Sequence, residues 1–62
     1  MDKLTVKQWR VVTAMTQADV ASKLNIHVNT YRLKEKGKLQ FTAKEIAIIL
    51  EISGLSYSQL SF

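Results

Sequence analysis

Thr16-Gln17-Ala18-Asp19-Val20-Ala21-Ser22-Lys23-Leu24-Asn25-Ile26-His27-Val28-Asn29-Thr30-Tyr31-Arg32-Leu33-Lys34-Glu35-Lys36-Gly37-Lys38 is the stretch that decides the fold. It begins with a helix-opening signal: a Thr16 hydroxyl accepts from the amide three residues on, and Asp19 reaches back. Gln17, Val20, Ala21 and Leu24 follow at i, i+3, i+4 and i+7, one narrow stripe along a helix. Ala21 is small enough to let another helix approach closely. At Asn25-Ile26-His27 the chain must turn sharply, and asparagine accepts the left-handed conformation better than most residues. Ile26 plugs back into the core, a second helix fills about 27–36, and Gly37 supplies its left-handed stop.

The same opening signal recurs outward along the chain. Thr5 precedes Gln8, Thr42 precedes Glu45 and Ser56 precedes Gln59, each pair at capping-box spacing ahead of apolar residues. These signals predict helices near 5–15, 16–24, 27–36, 42–52 and 56–61. In the fourth, Ile46, Ala47 and Leu50 form the stripe, with Ile49 at its edge. Proline is absent and glycine occurs only at 37 and 54, which favours helices joined by short turns over a hairpin-rich sheet. The expected architecture is all-α, a compact bundle of about five short helices in a single domain, 1–62.

Sixty-two residues cannot divide their apolar share of 47% between two cores. There is no cysteine, so neither disulfides nor thiolate zinc sites assist the core, and the composition suits the cytoplasm. The longest apolar run, Ile46 to Leu50, falls far short of the roughly 18 residues of a membrane span. One histidine, five carboxylates without a paired pocket, and no glycine-rich phosphate loop argue against an enzyme, a cofactor or a metal site. The net charge is +4, and Arg32, Lys34, Lys36 and Lys38 crowd into seven positions opposed only by Glu35. Such a cluster suits either a polyanion such as duplex DNA or simply a solvated helix face.

Two short helices with a tight turn are the physical pattern of a helix-turn-helix, whose second helix enters the major groove. The segment resembles the phage repressor and Cro class of helix-turn-helix proteins. The Thr16-Gln17 opening, Ala21, Ile26 and the Glu35-Lys36-Gly37-Lys38 ending carry the likeness, with Arg10 upstream and Leu50 to Ser53 downstream. The resemblance implies a lambda-repressor-like fold acting on a DNA operator in a bacterial host cell. Three positions depart from it. Asn25 and Glu51 stand where glycine is usual, and Lys34 occupies a normally apolar position, as though Leu33 and Lys34 were exchanged.

At 100° per residue, Val28, Asn29, Arg32, Leu33 and Lys36 share one face of the second motif helix. Thr30, Tyr31 and Lys34 share the other, with Tyr31 in the core and Lys34 expected to lift its ammonium into water over an apolar stem. Asn29 and Arg32 are the candidates for base-edge contact, with adenine and guanine respectively. Val28 and Leu33 would meet thymine methyls. Lys36 and Lys38 are candidate phosphate contacts, and His27 caps the recognition helix or neighbours a phosphate. The resemblance further implies that Gln17 contacts phosphate and steadies the recognition helix. It also implies a structural salt bridge between Arg10 and Glu35.

Trp9, Val6, Met15, Val20, Leu24 and Ile26 read as core. Ile48, Ile49, Leu55, Tyr57, Leu60 and Phe62 exceed what a small core requires, so some of them should form an exposed apolar surface. That surface suits a homodimer through the C-terminal helices, reading two half-sites one helical turn apart. The competing reading is an antirepressor or modulator that binds a repressor protein through Leu33 and the same surface. The two separate on charge: DNA binding depends on Arg32, Lys36 and Lys38, partner binding on Leu33 and the isoleucines.

Overall fold

The computed structural model of the chain describes residues 3–62. Four helices carry most of it: α1 (Val6–Val12), α2 (Gln17–Leu24), α3 (Val28–Glu35) and α4 (Ala43–Ser53). A two-residue strand β1 (Leu4–Thr5) precedes α1; a 3-10 turn (Tyr57–Gln59) and strand β2 (Leu60–Ser61) follow α4. The strands pair in parallel, Leu4 against Leu60 and Thr5 against Ser61.

The helix starts follow from their caps. Thr5, Thr16 and Thr42 each accept a hydrogen bond from the N3 amide, at 3.0 to 3.2 Å, and Gln8, Asp19 and Glu45 each accept from the cap amide at 2.9 Å. Two donors that the helix itself would leave unpaired are thereby satisfied at each start. The stops are equally local. Gly37 sits at φ +83°, with the Lys38 amide donating back to the Leu33 carbonyl at 2.9 Å and the Gly37 amide to Lys34 at 3.1 Å. Asn25, at φ +58°, ends α2 with the same pair of bonds, from Ile26 to Ala21 and from Asn25 to Ser22.

Two expected helices come out differently. The first ends at Val12 and does not run on to 15. Val11, Val12 and Thr13 are a β-branched run, and the Thr13 hydroxyl bonds the Trp9 and Arg10 carbonyls, closing the last turn. Ala14 then turns left-handed at φ +60°. The expected helix at 56–61 is a single 3-10 turn that runs into β2, so the chain is mostly helical with a small strand pair and not all-α. Pairing of Leu60 and Ser61 with Leu4 and Thr5 takes the last two residues of that segment out of any helix. Leu60 instead extends (φ −116°, ψ 142°) and drops fully into the core beside the first strand.

The core joins Val6 and Trp9 of α1, Val20, Ala21 and Leu24 of α2, Tyr31 of α3, Ile49 of α4 and Leu60 of β2. The side chains of Val20, Tyr31, Ile49 and Leu60 are completely enclosed, each contributing about 1.5–3 kcal/mol by leaving water. Met15, Ile26, Val28, Phe41, Ile48, Leu50 and Leu55 pack around this centre. The inward stripe of α4 is rotated from the expected one: Ile49 is at its middle, Glu45 is buried beside it, and Ala47 faces out. No helix among the described residues is long and apolar enough to cross a membrane.

Candidate nucleic-acid interface

The outward face of α3 is tied to the interior by one continuous chain of hydrogen bonds, with Glu35 at its centre. Arg10 grips Glu35 with two donors, Nε to Oε2 at 2.8 Å and Nη2 to Oε1 at 3.2 Å. Tyr31 donates its hydroxyl to Oε2 at 2.5 Å, and Gln17 donates Nε2 to Oε1 at 3.0 Å. Only 3% of the Glu35 side chain is exposed. Burial by itself would raise its pKa, yet the donors from Arg10, Tyr31 and Gln17 outweigh it and hold the carboxyl below its usual range. Arg10 is held more firmly protonated, chiefly by its hydrogen bond to Glu35, while burial and the facing carboxylate push the Tyr31 hydroxyl well above its ordinary pKa.

Because Gln17 spends its nitrogen on Glu35, its amide oxygen must point the other way. It accepts from Arg32 Nε at 3.0 Å, and Arg32 Nη1 in turn donates to Asn29 Oδ1 at 3.0 Å. An order thus propagates from Arg10 through Glu35 and Gln17 to Arg32 and Asn29, and it holds two exposed polar tips in a defined arrangement. His27 accepts the Asn29 amide through Nδ1 at 3.1 Å and so caps the start of α3.

Of the candidate residues, Asn29, Arg32, Leu33, Lys36, Lys38 and His27 are exposed; Gln17 and Val28 are partly buried. Val28 packs against the core, which leaves only part of its side chain for an outside contact. Leu33 is 41% exposed on the Arg32 side of the helix. Gln17 is engaged with Glu35 and Arg32 on both sides of its amide, so its place is that of a brace between α2 and α3.

Lys34 departs from expectation. Its ammonium does not stand free in water but pairs with Glu45 of α4, and the two side chains are only 10% and 8% exposed. Glu45 Oε1 also accepts the Thr42 amide at 2.9 Å, so one carboxylate caps α4 and clamps α3 to it. Burial opposes ionisation of Glu45, but the Lys34 hydrogen bond and the Thr42 amide prevail and lower its pKa. A signal for this pair was present. Lys34 falls on the same inward face as Tyr31, and an inward cation requires a carboxylate within reach.

With Arg10 and Lys34 paired internally, the remaining charge is lopsided. Seven basic side chains, Lys3, Lys7, Lys23, Arg32, Lys36, Lys38 and Lys44, make no ion pair among the described residues. Only two carboxylates there, Asp19 and Glu51, remain outside the internal pairs. A face carrying oriented amide and guanidinium donors, flanked by free cations, can bind phosphate oxygens and hydrogen-bond acceptors. No protein-family model, no curated protein and no solved structure matches the chain.

Proposed function

We propose that the chain is a small transcriptional regulator of the repressor/Cro kind that binds duplex DNA sequence-specifically. In this reading α2 and α3 are the helix-turn-helix and α3 lies in the major groove, Asn29 and Arg32 toward the base edges. The observation that carries it is the bonded series Arg10, Glu35, Gln17, Arg32, Asn29, which anchors exposed polar tips to buried structure. A solvated helix face needs no such support, whereas base readout loses affinity for every side chain it must first order. Lys36 and Lys38, just past the C-terminal end of α3 and exposed, then serve the phosphates, and Leu33 meets a thymine methyl. The regulator acts without chemistry, by occupying an operator in the bacterial cytoplasm. Leu39, Ile52, Tyr57 and Phe62, all more than a third exposed, supply a surface for a twofold dimer. Its half-sites would then lie about 34 Å apart.

One observation favours a second reading. Leu39, Tyr57 and Phe62 line one open hollow and Leu33 is exposed as well, which suits an antirepressor that binds a repressor protein. Binding to a pool of random duplexes at two salt concentrations decides between them. The DNA reading expects an enriched site, lost in both Asn29→Ala and Arg32→Ala. Weak, salt-sensitive binding unchanged in the variants would refute specific readout and turn attention to the protein partner.

A further inference from the structure

The hydrogen bond between Arg32 and Asn29 changes what these residues can read. Bidentate pairing of an asparagine with adenine requires its oxygen to accept from the adenine amino group while its nitrogen donates to N7. In the structure Asn29 Oδ1 already accepts from Arg32 Nη1, at 3.0 Å. An oxygen that accepts from a cation is a poorer acceptor for a second donor, and the same polarisation makes the amide N–H groups better donors. Asn29 Nδ2 has no hydrogen-bond partner among the described residues, and neither does Arg32 Nη2. Gln17 prevents an escape from this arrangement. Its oxygen holds Arg32 Nε at 3.0 Å, and its own amide orientation is dictated by Glu35.

We infer that Asn29 and Arg32 act as one donor-only unit that reads a guanine-containing step in the major groove. They do not act as independent readers of adenine and guanine. The inference rests on the DNA-binding reading and specifies its partner. Guanine presents two acceptors there, N7 and O6, which fit the outward guanidinium edge of Arg32; thymine O4 or a second guanine suits Asn29 Nδ2 better than adenine, whose N7 comes with an amino donor that the occupied Asn29 Oδ1 meets poorly. Cytosine offers only a donor and is rejected at both positions. Gln17 is a positioning residue for the unit and touches no base.

The test uses the enriched duplex, with the base under Asn29 identified as the position whose preference disappears in Asn29→Ala. Guanine is expected under Arg32, and guanine or thymine under Asn29. Replacing the Arg32 guanine with 7-deazaguanine removes one acceptor without disturbing base pairing and should weaken binding about tenfold. Inosine, which keeps N7 and O6 on the major-groove edge and loses only the 2-amino group, should bind nearly as guanine does. Gln17→Ala should flatten the preference at both positions at once, which loss of a simple phosphate contact would not do. An adenine under Asn29, with affinity that falls when its amino group is removed, would overturn the inference while leaving DNA binding intact. Failure of the wild type to enrich any site would overturn the DNA-binding reading itself, so the two failures are distinguishable.

Discussion

Replacing Glu35 with glutamine probes the centre of the network. The side chain keeps its shape, but the charge is lost and one oxygen becomes a donor. Four donated hydrogen bonds converge on the wild-type carboxylate, two from Arg10 and one each from Tyr31 and Gln17. The amide must therefore face at least one donor with another. Arg10, itself only 13% exposed, is left without a counter-charge. Breaking a buried pair by removing one partner costs about 3–5 kcal/mol. A chain of 62 residues has roughly 3–9 kcal/mol of stability in all. Glu35→Gln should consequently lose at least about 3 kcal/mol and lower Tm by more than about 12 °C. Urea and thermal unfolding followed by circular dichroism measure both. Adding Arg10→Met should restore part of the loss, since removing both charges spares the interior an unpaired one. A Glu35→Gln variant within 1 kcal/mol of wild type would refute the claim that this network organises α1, α2 and α3.

Acid should act on the same carboxylates. Glu35 and Glu45 both titrate below their ordinary value of 4.5 in the folded state, so the unfolded chain binds more protons as pH falls. Their stabilisation should be complete above about pH 5.5 and should fall away below 4.5; Glu45→Gln should flatten a Tm-versus-pH curve over that window. Ala14 is held at φ +60°, where a β-carbon is strained, so Ala14→Gly should raise stability by up to about 1 kcal/mol in urea unfolding. Lys36→Ala and Lys38→Ala should each reduce the slope of log affinity against log salt by roughly one, with little change in which site is preferred.

Helix starts were legible because a threonine and an acceptor three residues on are a local signal, indifferent to the rest of the fold. Thr5, Thr16 and Thr42 all cap as their spacing indicates. The left-handed stops at Asn25 and Gly37 were legible for the same reason. Ala14 was not, since nothing marks an alanine for positive φ; its conformation follows from the Thr13 hydroxyl and the Met15 amide, which bond back onto α1. The C-terminal strand was illegible because its pairing partner, Leu4–Thr5, lies at the other end of the sequence. Periodicity on α4 located the inward face only to within a turn, because four isoleucines and leucines in five positions blur the stripe and the Lys34–Glu45 pair sets its rotation. At the candidate interface, residue types pointed to Asn29 and Arg32, but their mutual hydrogen bond depends on the α2–α3 crossing that brings Gln17 beside them.

Titrating isotope-labelled protein with its enriched duplex, and following the amide and side-chain resonances, tests DNA readout most directly. Readout by α3 should place the largest shifts at Asn29 and Arg32, with accompanying changes at Gln17 and in the Lys36–Lys38 backbone. Shifts centred on Leu39, Tyr57 and Phe62, with α3 unmoved, would contradict it.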